Sequence, residues 1–437
     1  MKLCETKKIS TIIEQTKERV NSRALQEKYR TSPTDWTRER KLPFAKTVTL
    51  VLSGHKRPLQ NNLNKFFQDM DETTNVPTAS AYCQARRKFK GELFLYLNEE
   101  TCGDFYQQFE NELELWQGRR VLAVDGTHLN LPDSPETRAR FSLVSNQHQG
   151  GERVQALASV IYDLLNDIGL NLAFGKKQAE KQFLFTAHLA YMHARDLIVL
   201  DRNYGDYSVM AFLLKNNCDF LIRFQKNGFK CVKEFFAGKA KEKVVELAVT
   251  SLQKQFVREN ELAEKLKLRL IKVVLDNGEI EVVGTNLMAA QREEIIMLYG
   301  LRWGIETYFD RIKNIFELER FSGNSLLSIE QDVYATLFLA TLESILSSSA
   351  EEELAEESSE CQYPQQVNHC VSYSAILDHM TDLLMNEELS VEQTVAELHR
   401  LFMTNPTLRR KGRNYPRRPR SGFRQLYYHK YSKRIIA

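Results

Sequence analysis

Tyr299, Arg302, Glu306 and Lys313 stand at offsets of 0, 3, 7 and 14 within a stretch of helical spacing, MAAQREEIIMLYGLRWGIETYFDRIKNIFEL. At about 100° per residue they project within roughly 60° of one another. A buried face should be apolar there, and a solvated face has no need to align four such groups. A carboxylate set among two cations and a phenol suits a divalent metal beside a phosphate, and so points to nucleic acid.

Two aspartates extend the set. Asp125 ends the apolar run VLAV and precedes Gly126-Thr127; Asp201 ends LIVL and precedes Arg202-Asn203-Tyr204-Gly205. Carboxylates at the carboxyl ends of neighbouring strands converge at the usual site of an α/β sheet. One such Asp alone is commonly a turn or cap residue; two of them with Glu306 make a three-carboxylate set. Such a set holds two divalent ions about 3.5–4 Å apart, one activating a water or 3′-hydroxyl and the other stabilising the leaving oxygen of an in-line phosphoryl displacement. Oxygen ligands favour Mg2+ or Mn2+ over zinc, and no compact His/Cys cluster competes. His128 reads as a polar strand residue, Trp303 as a core anchor and Asp206 as a turn or cap residue. His188 and His193, five apart, lack the usual two-ligand spacing.

The expected fold class is α/β, and the segments divide accordingly. Residues 1–117 read as helices punctuated by Pro33, Pro43, Pro58 and Pro77, a DNA-binding region. After Pro77, Thr78 and Ser80 are good N-caps. The helix that follows carries Arg86, Arg87, Lys88 and Lys90 beside Tyr82 and Phe89, either a DNA-contacting helix of a helix-turn-helix-like unit or a plain basic surface helix. Residues 118–225 alternate strands and helices, the first part of a catalytic core. Residues 226–289 form a β-rich insertion, with KCVKEFF and KEKVVELAVT weakly alternating and a hairpin turning at Asp276-Asn277-Gly278. Residues 290–346 return to the core with the polar-striped helix, 347–361 read as an acidic linker, and 362–437 as further helices and a basic tail. There is no internal repeat.

At 437 residues with 43% hydrophobic residues and 24 Phe, the chain has ample material for a core. No apolar run reaches the roughly 18 residues of a membrane span, and MKLCETKKIS lacks the apolar stretch of a signal peptide, so a cytoplasmic chain with no membrane partner is expected. Seven scattered cysteines without a CxxC pair argue for reduced thiols, against both a zinc ribbon and a disulfide framework. The net charge of +3 hides an asymmetry: residues 408–437 hold eleven Lys/Arg and no Asp/Glu, and the remainder 49 basic and 57 acidic residues. Such a tail, interleaved with Tyr415, Phe423, Tyr427, Tyr428 and Tyr431, suits phosphate backbones.

Together VDGT, VLDRNYGDYS and YGLRWGIETYFDRIK resemble the DDE transposases of bacterial insertion sequences, and more specifically the insertion-sequence-four family. That family's third motif is Tyr, two residues, Arg, three residues, Glu, six residues, Lys, matched here by Tyr299, Arg302, Glu306 and Lys313. Its second is matched by Asp201 to Tyr204, and its first by Asp125 to Thr127. The resemblance spans roughly residues 30–345, and QVNHCVSYSAILD extends it. It implies an RNase H-like core with Asp125, Asp201 and Glu306 as catalytic and metal-binding residues, two Mg2+ or Mn2+ ions, and a homodimer acting on double-stranded DNA at terminal inverted repeats and target. Tyr299, Arg302 and Lys313 would grip phosphates near the cleaved end. The chain departs from some relatives in one respect. They carry a Trp in the β insertion that stacks on a flipped base beside a DNA hairpin, whereas the tryptophans here are Trp36, Trp116 and Trp303. Phe256 is a candidate to take its place, with stacking on another aromatic as the alternative.

Overall fold

The computed structural model describes residues 3–409, apart from 39, 55–57, 146–151, 177–179, 252 and 276–277. Most of the basic tail, 410–437, and the first two residues of the Asp276-Asn277-Gly278 turn therefore lie outside the described residues. The chain forms two compact units. One comprises Leu113–Leu129 and Ala156–Phe309; the other comprises Met1–Glu112, Asn130–Gln155 and Asp310–Ala437.

The first of these units is built on a mixed sheet. Its strands are β1 (Val121–Asn130), β3 (Glu152–Asp163), β4 (Ile168–Gly175), β5 (Leu197–Leu200), β6 (Asp219–Arg223), β7 (Glu242–Ala248), β8 (Lys265–Val274) and β9 (Ile280–Thr285), while β2 (Ser142–Ser145) pairs with the opening residues of β3 in the other unit. Their order is β3-β1-β5-β6-β9-β8-β7, with β4 paired to β3. β1, β5 and β6 run parallel, and Val124 stands beside Leu200 at the end of their ladder. The short runs VLAV and LIVL are apolar throughout because both faces of these central strands are covered. On one face Val121, Leu197, Val199, Leu221, Ile271 and Val283 pack beneath Ile295, Leu298 and Tyr299 of the helix Arg292–Leu301.

One local expectation changes here, and two further details of the chain's path follow. KCVKEFF is a helix, Lys230–Ala237, because Val232 and Phe235 are buried together at helical spacing. Residues 226–289 do not make a sheet of their own, since β9 pairs with β6 and extends the central one. The segment 180–191 is not one regular helix: a single α-turn, Glu180–Phe183, passes into a π-turn, Leu184–His188, and a 3-10 turn.

The other unit is helical. Leu3–Asn21, Glu92–Gln108 and Val391–Thr404 pack against the long helix Leu326–Glu357, which begins at Ser325 with the side chain accepting from Ser328 N–H. Residues 347–357, expected to open a linker, are the last turns of this helix, with Ser347, Ser349, Ala350 and Leu354 buried. By length and composition this helix could cross a membrane, contrary to the sequence expectation, but 89% of its apolar window is buried inside the protein. The six described cysteines are free.

Candidate active site

Asp125 is the fifth residue of β1 and Asp201 follows the last residue of β5. The parallel register that pairs Val124 with Leu200 makes the two aspartates neighbours at the carboxyl edge of the sheet, where strands of this kind present their chemistry. Each is oriented by the backbone after it. Asp125 Oδ1 accepts from Gly126 N–H at 2.8 Å, and Asp201 Oδ1 accepts from Asn203 N–H at 2.7 Å, capping a 3-10 turn.

A carboxylate outside the expected set also lies at this corner. Glu180 lies against Gly126: a Cβ on that glycine would meet Leu157 at 3.0 Å and Glu180 Oε1 at 3.2 Å. A side chain at Gly126 would have to push Leu157 and the Glu180 carboxylate aside by a few tenths of an ångström. Burial, then the charges of Asp201 and Glu180, push Asp125 up to about 7, against the pull of the Gly126 N–H and of Arg302. Burial and Asp201 also raise Glu180, opposed by Tyr204 and Lys181. Perturbation of this kind gathers at functional sites. Nothing local in the sequence marks Glu180; the tight glycine after Asp125 is its one trace.

Glu306 and Arg302 act as a pair. Arg302 Nη2 donates to Glu306 Oε1 at 2.8 Å across one helical turn. Arg302 is 9% exposed, and although burial lowers its pKa, Glu306, Tyr299 and Asp125 together outweigh it, so the guanidinium stays charged. Its Cζ is 6.0 Å from the ring centroids of both Tyr299 and Trp303. Tyr299 is buried, its hydroxyl is without a hydrogen-bond partner among the described residues, and burial holds its pKa up to about 12. The polar stripe is not one continuous α-helix. Arg292–Leu301 ends at a turn on Arg302, Trp303–Asp310 follows, and Arg311–Ile315 is a π-turn. Lys313 belongs to the helical unit, where its Nζ is 4.0 Å from Glu319.

Several other residues depart from their sequence reading. Arg86 is not a DNA contact: it is 6% exposed and bound on all sides within the helical unit, donating to Gln331 and Asp332 at 2.6 Å each, to the Ser328 carbonyl at 3.1 Å and to Ser322. Arg87 beside it is exposed. Trp303 is no core anchor, being 58% exposed. Asp206, by contrast, keeps its sequence reading: it caps the helix Tyr207–Lys215, accepting from Ser208 N–H. His188 is fully buried, with Nε2 3.0 Å from Ser159 Oγ and Nδ1 3.5 Å from Asn171 Nδ2, and burial pushes it down to about 3. It is therefore a neutral support beneath the site.

The donor chemistry suits a hard divalent cation: carboxylates at adjacent strand ends, a desolvated Asp125 that a cation would relieve, and the buried Tyr299 hydroxyl without a partner. Among the described residues no three His, Cys, Asp or Glu already converge on one point.

The transposase DDE domain family matches residues 116–342, just over half of the sequence, and the chain belongs to that family. It is an enzyme of the polynucleotidyl transferase and nuclease class, and its sheet is the RNase H-like core of that class. A solved structure similar to it is the piggyBac transposase synaptic complex with hairpin DNA, at a TM-score of 0.45 and 8% sequence identity, covering 93% of this chain and 87% of that one. No curated protein matches the chain.

Proposed function

We propose that this protein binds the ends of an insertion sequence of the insertion-sequence-four type and cleaves and joins DNA strands there, as a homodimer in the DNA complex. The observation that carries the reading is the register that places Asp125 beside Asp201 at the sheet's carboxyl edge, with the Arg302–Glu306 pair in the same unit. Asp125, Asp201 and Glu306 would hold Mg2+ or Mn2+, which when bound would supply activation of the attacking oxygen and charge stabilisation of the leaving one. Asp125 and Asp201 are pre-oriented by their own turns, so little side-chain entropy remains to be lost on binding. Arg302 presents a planar fork suited to a phosphate oxygen pair, with Tyr299 beneath it. Lys313 and the exposed Arg87 supply further positive charge for the DNA backbone, as does the tail 408–437. The buried long helix accords with a protein that acts on DNA away from membranes.

The test is strand transfer of a duplex bearing the element end and a free 3′-hydroxyl into a plasmid. Asp125→Asn, Asp201→Asn and Glu306→Gln should each lower cleavage and joining on the order of a thousandfold or more, while binding of the end is kept. Cleavage without joining by the unaltered protein would make it a nuclease on the same core. Near-normal joining by Glu306→Gln would remove Glu306 from the reaction.

A further inference from the structure

The segment QVNHCVSYSAILD has no part in the functional reading. It forms the helix His369–Asp378, opened by the Asn368 side chain accepting from Cys370 N–H. Within the helical unit this helix packs on the turn that carries Lys313. Lys313 is the middle residue of the π-turn Arg311–Ile315. Phe316 N–H donates to the Arg311 carbonyl at 3.1 Å and Leu318 N–H to the Ile312 carbonyl at 3.0 Å, closing the turn. At Glu317 the backbone then takes a φ of 53°, a region that residues with side chains rarely adopt. π-turns are uncommon and a left-handed glutamate is strained, so the two persist together only where their surroundings impose them.

Anchors lie at both ends of the turn. At its start, Arg311 is 7% exposed, and its Nη1 is 3.6 Å from Oε2 of the fully buried Glu343 on the helix Leu326–Glu357. The other oxygen of Glu343 lies 2.9 Å from His369 Nδ1 and accepts from the Ser372 hydroxyl. A buried ionic group of this kind is a poor source of stability, since apolar side chains of similar volume often serve as well. What it supplies is a fixed place for the guanidinium that begins the turn. At the far end, the Tyr373 ring stacks on Phe316 with centroids 4.0 Å apart and planes 14° from parallel. Both rings are buried, and the Tyr373 hydroxyl is 3.5 Å from the Phe316 carbonyl.

Lys313 lies between these anchors, its Nζ 4.0 Å from Glu319, which in turn accepts from Asn130 N–H at 3.1 Å. A slip of one residue in the turn would swing the lysine by about 100°. We infer that His369, Ser372 and Tyr373 are positioning residues for Lys313: acting through Glu343 on Arg311 and directly on Phe316, they clamp both ends of the π-turn and hold the ammonium where it meets DNA phosphate. The inference rests on the proposed role of Lys313 and adds residues which that reading leaves out.

Affinity of the full chain for a duplex bearing the element end, measured by fluorescence anisotropy in double-substitution cycles, is the test. Lys313→Ala should weaken binding about tenfold, the worth of one charge-assisted contact. Tyr373→Leu, which keeps apolar bulk and loses the flat ring, should weaken binding about threefold in the parent and cause no further loss beside Lys313→Ala. His369→Ala should behave in the same way. A helix that only stabilised the fold would cost equal affinity in both backgrounds. Tyr373→Phe, which keeps the stack, and His369→Asn, whose amide can donate to Glu343 in place of the ring N–H, should recover most of the loss. Should Tyr373→Leu or His369→Ala fail to fold, Ser372→Ala, which removes one hydroxyl from the clamp, carries the same cycle. Parent-like affinity in the helix variants, or equal losses with and without Lys313, overturns this inference alone. Affinity unchanged in Lys313→Ala removes the phosphate role of Lys313 and this inference with it.

Discussion

Arg302 holds Glu306 at 2.8 Å while its charge also reaches Asp125, so one guanidinium is shared between two carboxylates of the candidate site. A cation placed there competes with a metal as much as it helps bind phosphate. Arg302→Ala should therefore abolish end cleavage and yet tighten manganese binding in the absence of DNA, because the repulsion between guanidinium and metal is gone. Calorimetry beside a cleavage assay measures both. Weaker manganese binding in this variant would show that Arg302 orders the metal ligands instead of opposing the ion.

Asp125 makes stability depend on pH. Its pKa in the fold, about 7, lies above the ordinary value of 3.8, so the fold prefers the protonated form. The favourable contribution is fully present below pH 3.8 and is lost as pH rises through 7. Asp125→Asn should therefore melt higher than the parent at pH 8 in chelator, and the two should converge near pH 4. Three units correspond to about 4 kcal/mol; partial exposure of the carboxylate reduces the expected gain to about 1–2 kcal/mol. Equal melting temperatures at pH 8 would show that Asp125 is not strained in the fold.

Adjacent arginines should behave as opposites. Arg86 is enclosed by Gln331, Asp332 and the Ser328 carbonyl, and removing one partner of a buried pair costs about 3–5 kcal/mol. Arg86→Ala should lower the melting temperature markedly or prevent folding. Arg87→Ala should leave melting unchanged and weaken DNA binding uniformly across sequences. A stable Arg86→Ala protein would show that Asp332 finds another partner.

Residues 408–437 should supply salt-sensitive, sequence-independent affinity, since eleven cations stand there without an anion. Deleting them should flatten the slope of log affinity against log salt. A well-folded truncation with the parent's slope would exclude the tail as a DNA arm.

The legible parts of this chain are those set by local spacing. VLAV and LIVL announce central strands, and an aspartate at the end of each is visible without a structure. Tyr299, Arg302 and Glu306 share a face because three and four residues make one turn. What resists reading is decided by residues far away in the chain. Arg86 looks like one more cation in a basic run until Gln331 and Asp332, some 245 positions on, enclose it. Glu180 acquires meaning only when the sheet brings it onto Gly126. Trp303 misleads in the other direction, because apolar type predicts burial on average and says nothing about a single surface position.

The helix Leu326–Glu357 has a consequence for how the protein is made. Its packing partners include Leu3–Asn21 and Glu92–Gln108, synthesised long before it, and Val391–Thr404, synthesised after it. This long apolar helix thus leaves the ribosome before its last covering helix exists, and stays uncovered for on the order of seconds at ordinary elongation rates. Translation that stops shortly after residue 357 would leave a greasy rod with nothing to close over it. Such fragments should be sticky, quickly degraded, and a burden on chaperones out of proportion to their abundance.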